Sequence, residues 1–125
     1  MILEGIQAVL QPMTILLIAI GTAVGIIFGS IPGLTATMAI VMFLPVTYSM
    51  AASQGISMLV ALYIGGISGG LISAILLNIP GTPSSVATCF DGKPMADKGQ
   101  AGKALGTGVV FSFFGTIIGI AVLVV

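Results

Sequence analysis

The sequence predicts an all-α protein: a polytopic transmembrane helical bundle with discontinuous helices, broken at Pro-Gly pairs. Three observations carry that expectation. Of 125 residues, 58% are hydrophobic and only 5% are charged, far below the roughly 25% charged share of a soluble domain. Glu4 is followed by no charged residue until Asp91, an uncharged interval several times longer than the roughly 20 residues that cross a bilayer. Ile-Pro-Gly occurs twice, at Ile31-Pro32-Gly33 and at Ile79-Pro80-Gly81. Each proline removes a backbone donor and pushes the residue before it out of the helical region, while each glycine admits angles other residues resist. Hydrocarbon cannot satisfy the carbonyls such a break frees, so a break inside a membrane must be buried in protein or line a wet cavity.

Composition also excludes several functions. Net charge is zero and His is absent, which leaves no basic patch for nucleic acid and no ligand cluster for a transition metal. The one cysteine, Cys89, reads as a small packing residue. No nucleophile and base pair is present in the apolar part, so enzymatic activity is not expected. The first apolar run lacks a charged leader and an A-x-A-like cleavage site, and is expected to stay in the mature protein. The closing run, Ala121-Val122-Leu123-Val124-Val125, carries no interfacial anchor. That ending predicts a chain that is part of something longer, or one completed by a partner.

Residues 1–11 are weakly amphipathic, with Glu4, Gln7 and Gln11 opposing Ile2, Leu3, Ile6, Val9 and Leu10, and are expected at the membrane interface. Pro12 suits a first helical turn. A span over about 12–30 follows, with Gly21, Gly25 and Gly29 on one face, spacing that lets another helix approach closely in lipid. After the first break, a short helix over about 34–48 is expected, either beginning inside the membrane or continuing kinked through Pro45. Residues 46–55 read as an interfacial turn. The next span, about 56–77, contains Gly65-Gly66-Ile67-Ser68-Gly69-Gly70 and is built for tight contact over a broad face. No strand precedes this run and no Gly-Lys-Ser/Thr follows it, so a nucleotide loop is excluded.

Residues 84–103 form the main polar loop, with Asp91, Lys93, Asp97, Lys98 and Lys103. Asp91-Gly92 is a turn signal, Pro94 can open a short helix, and Gly99 or Gly102 can interrupt it. All three lysines lie here, which places the loop in the cytoplasm. The last span, about 104–125, carries a second small-residue seam at Gly108, Ser112, Gly115 and Gly119. Every span is therefore expected to pack against protein.

A broken helix exposes an amino end with about half a positive charge and free backbone donors. Because the apolar part holds no cation, an anionic ligand would be read by the backbone at the breaks. The candidate substrate-binding residues are Pro32, Gly33, Thr35, Asn78, Pro80, Gly81, Thr82, Ser84 and Ser85, with Thr37 nearby. A coupling cation would use the opposite features: freed carbonyls together with Asn78 and Thr82 as hard oxygen ligands.

Longer motifs sharpen this picture. Gly21, Gly25, Gly29, Pro32, Gly33 and Leu34 precede Pro45; Tyr63, Gly65, Gly66, Gly69 and Gly70 precede Ile75-Leu76-Leu77-Asn78-Ile79-Pro80-Gly81. Ala87-Thr88, Asp91-Gly92-Lys93-Pro94-Met95-Ala96, Gly99, Ala101 and Ala104-Leu105 follow. On these residues the chain resembles the amino-terminal part of the large, TctA-type membrane subunit of tripartite tricarboxylate transporters. The resemblance implies a multi-pass protein of the bacterial inner membrane that takes up citrate-like or other carboxylates by symport, driven by Na+ or H+. It also implies a small membrane subunit and a periplasmic solute-binding protein as partners. A different class of reading takes the glycine seams as the main feature, making this a scaffold or oligomerisation domain, including a homo-oligomer, without its own substrate site.

Overall fold

The chain is seen in a computed structural model that describes residues 2–125, and every regular element among them is a helix. A short α1 (Ile2–Val9) leads into α2 (Pro12–Ser30), where Pro12 occupies the first turn. At that position its missing N–H costs nothing, because first-turn amides have no acceptor within the helix. After the first break come α3 (Ala36–Thr47) and α4 (Ala52–Leu77). After the second break a 3-10 turn (Pro83–Ser85) runs directly into α5 (Val86–Asp97), and α6 (Ala101–Val124) closes the chain. Three of these, α2, α4 and α6, are long and apolar enough to cross a membrane; α3 is apolar but shorter.

The long helix α4 is the axis of the fold. Gly21 lies against Met58 and Leu62, Gly25 against Leu62 and Gly66, and Gly29 against Gly66, so α2 and α4 run parallel. In return Gly65 meets Thr22 and Gly69 meets Ile26. These are backbone-to-backbone approaches with no room for a side chain, the close packing that holds apolar helices together where water is absent. The same seam is where Gly21, Gly25 and Gly29 are the buried residues of α2 apart from Thr14.

Helix α3 returns antiparallel, with Ala36 on Gly66 and Thr47 on Gly55. It begins at Ala36, two residues later than the sequence indicates, because Thr35 caps it: the Met38 amide donates to Thr35 Oγ1 at 3.2 Å. It continues through Pro45 to Thr47. The turn that follows is shorter than expected, since α4 begins at Ala52.

Two expectations need correction. Residues 84–103 are not an extended loop, because α5 occupies Val86–Asp97 and contains Asp91-Gly92 in its interior. The physical reason is packing: Gly92 is buried, and a methyl group there would lie 2.7 Å from Ile75 of α4. Gly92 therefore serves close approach, and the turn falls at Gly99, whose φ of +77° suits a left-handed helix end. The Gly99 amide donates to Ala96 O and the Gln100 amide to Met95 O, both at 2.9 Å, the Schellman arrangement. The second correction concerns α6. Ala104 is its single buried residue, and every side chain from Phe111 onward is exposed within this chain.

Candidate functional site

The two breaks end their helices by different means. At the first, Ile31 leaves the helical region (φ −90°, ψ 116°), the Leu34 amide donates to Ile31 O at 3.1 Å, and Gly33 takes φ +94°. Pro32, Gly33 and Thr35 are all exposed. At the second, Asn78 adopts the left-handed conformation (φ 57°, ψ 27°) and its amide donates to Ser73 O. The Ile79 amide reaches the same carbonyl at 3.4 Å. Asparagine tolerates this conformation better than other side chains, and Pro80 then prevents the helix from resuming.

Beyond Pro80 the chain folds back along α4. A methyl group at Gly81 would sit 2.7 Å from the Gly29 carbonyl oxygen, 2.8 Å from Ser73 Oγ and 3.0 Å from the Gly70 Cα. Thr82 lies against Gly70. Gly81 is thus about 6 to 10 Å short of the end of α4, at 1.5 Å per residue. The amino end of α3 rests on Gly66, one helical turn from Gly70. Both breaks therefore converge on one glycine face of α4, separated along it by about 6 Å.

That convergence brings unlike helix ends together. Two amino ends, at Ala36 and at Pro83, present first-turn amides with partial positive charge, while the carboxyl end of α2 presents the Gly29 carbonyl with partial negative charge. Ser85, which is buried, locks the second amino end: its hydroxyl accepts from the Thr82 amide at 3.2 Å and donates to Thr82 O at 2.8 Å. Thr82 Oγ1 and Ser84 Oγ share a hydrogen bond at 3.0 Å.

Of the nine residues singled out from the sequence, six fall in three places and three stay outside them. Gly81 and Thr82 are half-buried at the junction with α4. Ser84 and Ser85 line a cleft of about 600 Å³ between α4 and α6, where Ser68, Thr88, Ser112 and Thr116 add further hydroxyls. Asn78 and Pro80 line a second cleft of about 410 Å³, shared with Val86, Cys89, Phe90, Lys93 and Pro94 of α5. Pro32, Gly33 and Thr35 line neither cleft.

Lys93, placed by the sequence in the polar loop, is carried by α5 into the lining of the same cleft as Asn78 and Pro80, and its ammonium pairs with Asp97 one turn on. Lys93 and Asp97 at i, i+4 signal a helix face, and that spacing was readable in advance.

Comparison with known proteins now decides what kind of chain this is. The tripartite tricarboxylate transporter TctA family matches over residues 15–125. The chain belongs to that family. It is 40% identical over 110 residues to a protein of Agrobacterium vitis described as an uncharacterized 52.8 kDa protein in the TAR-I ttuC′ 3′ region. The match covers 88% of this chain and 22% of that protein, so the chain spans about a fifth of its relative's length. No solved structure matches. TctA membership accounts for three helices of membrane-crossing length, and the matched region contains both breaks and both clefts.

Proposed function

We propose that this chain is the amino-terminal part of the membrane subunit of a secondary transporter that takes up tricarboxylates or related carboxylates. In this reading it works in the bacterial inner membrane with a small membrane subunit and a periplasmic solute-binding protein, and a Na+ or H+ gradient drives uptake. Membership of the TctA family is the observation that carries the reading. The meeting of both helix breaks on one face of α4 supports it, because discontinuous helices in transporters present amino ends to anionic groups and freed carbonyls to the coupling ion. Thr82, Ser84 and the Asn78 amide would add hydroxyl and amide contacts. Pro32, Gly33, Pro80 and Gly81 would act by shaping the backbone, Thr35 by fixing the first amino end, and Ser85 by fixing the second.

The test is citrate uptake by the complete assembly in proteoliposomes, with and without an inward Na+ gradient at fixed pH. Saturable uptake in the parent and its loss in Asn78→Ala or Gly81→Ala, at equal protein incorporation, is the expected outcome. Unchanged uptake in both variants would remove these residues from the site.

The bare face of α6 favours a second role, as a surface for another helix. The glycines of residues 65–70 are already occupied inside the chain, so an oligomer held by that seam is disfavoured and one held by α6 is not. Cysteine crosslinking at Gly115 against Gly66 in the assembly separates them.

A further inference from the structure

We propose that Lys93 is the cationic contact for a substrate carboxylate in the cleft behind the second break, with Asp97 as the internal carboxylate it exchanges. The inference rests on the carboxylate reading and adds a charged residue to a site otherwise built from backbone.

The placement follows from the fold. Residues 78–82 fold back along α4, and α5 then packs Gly92 onto Ile75, which sets the neighbouring Lys93 in the same cleft as Asn78 and Pro80. Lys98 and Lys103 are exposed and line neither cleft. Apart from Asn78, Cys89 and Lys93, that cleft is walled by Pro80, Val86, Phe90 and Pro94. Val86 and Phe90 are exposed, at 44% and 76%, so the cleft is open and a carboxylate can reach the Lys93 ammonium directly.

The pair with Asp97 supplies the device. Lys93 is partly sheltered, with 31% of its side chain exposed, whereas Asp97 is 61% exposed. Exposed i, i+4 pairs are weak, so a carboxylate that also contacts Asn78 displaces Asp97 without a large penalty. Asp97 meanwhile keeps the ammonium oriented and balances its charge when the cleft is empty of substrate.

The experiment uses the complete assembly in proteoliposomes and radiolabelled citrate. Lys93→Gln is expected to raise the KM for citrate by about tenfold or more, the scale of a lost hydrogen bond to a charged group. Lys93→Arg keeps most of the affinity, and Asp97→Asn lowers the KM by freeing the ammonium. Cys89, in the same cleft, gives a readout independent of any variant: saturating citrate slows its alkylation by N-ethylmaleimide in the parent, read by mass spectrometry of the Cys89 peptide. Absence of saturable parent uptake of citrate and of every other di- or tricarboxylate offered overturns the carboxylate reading, and this inference with it. Parent uptake with an unchanged KM in Lys93→Gln, or Cys89 alkylation indifferent to citrate, overturns the role of Lys93 alone.

Discussion

Helices α2 and α6 are written in the same way and end up in opposite situations. Gly21, Gly25 and Gly29 are spaced by four, as are most of Gly108, Ser112, Gly115 and Gly119. The first set is buried against α4, whereas around Gly115 and Gly119 nothing lies within 4 Å of where a side chain would begin. Spacing of small residues thus says that a helix can be approached closely, and leaves open by what. What differs is the facing surface: α4 offers Gly65, Gly66 and Gly69 to α2, whereas Gly108 of α6 meets the Leu71 side chain.

The largest effect should come from the seam itself. Gly29→Ala or Gly66→Ala forces a methyl group into the facing helix, onto the Gly66 carbonyl in one case and onto Ala36 in the other. Overpacking of this kind costs about 1 to 3 kcal/mol, and backbone atoms on the far side cannot rotate away. Unfolding in mild detergent, followed by circular dichroism against temperature, should show a clear loss for each. Unchanged melting would mean that α2 and α4 do not touch as described.

Next comes the second break, where stability and function can be separated. Asn78→Ala places a Cβ residue without side-chain compensation in the left-handed region, at a cost of about 1 to 2 kcal/mol. Asn78→Gly keeps the backbone at no such cost, so it should melt like the parent. If the Asn78 amide contacts substrate, Asn78→Gly also loses citrate uptake, a combination that a purely structural residue cannot produce.

How much was legible beforehand follows the range of the interactions. The apolar spans, the two Pro-Gly stops and the glycine face of α4 are local patterns, and each lies where the sequence places it to within a few residues. Gly99 as a helix end was also local. Asp91-Gly92 misled because its turn signal is local while the contact that overrides it, Gly92 on Ile75, spans seventeen positions of chain. The place of Lys93 in the cleft with Asn78 and Pro80 was hidden for the same reason, since it depends on residues 78–82 folding back along α4, a tertiary event. The meeting of the two breaks on α4, and the scatter of the candidate residues among a junction, two clefts and the exposed first break, are tertiary and lie beyond local patterns.

A smaller effect is expected at the first break. Thr35→Ala removes the acceptor for the Met38 amide and should cost about 1 kcal/mol, with Thr35→Asn retaining most of it. The readout is the same melting curve. A loss far beyond that figure would show that Thr35 contributes more than a cap.

The smallest effect, and the sharpest for the comparison, belongs to α6. Gly115→Ala and Gly119→Ala meet no atom of this chain, and alanine favours a helix interior over glycine by about 1 kcal/mol. The chain alone in detergent should therefore melt unchanged or slightly higher, opposite in sign to Gly29→Ala although the substitution is the same. In the complete assembly the two readings of α6 diverge. If its seam receives another helix, Gly115→Ala lowers the assembly's melting temperature while leaving the chain alone unharmed. If α6 faces lipid, both measurements stay level, and close spacing of small residues there reflects no partner.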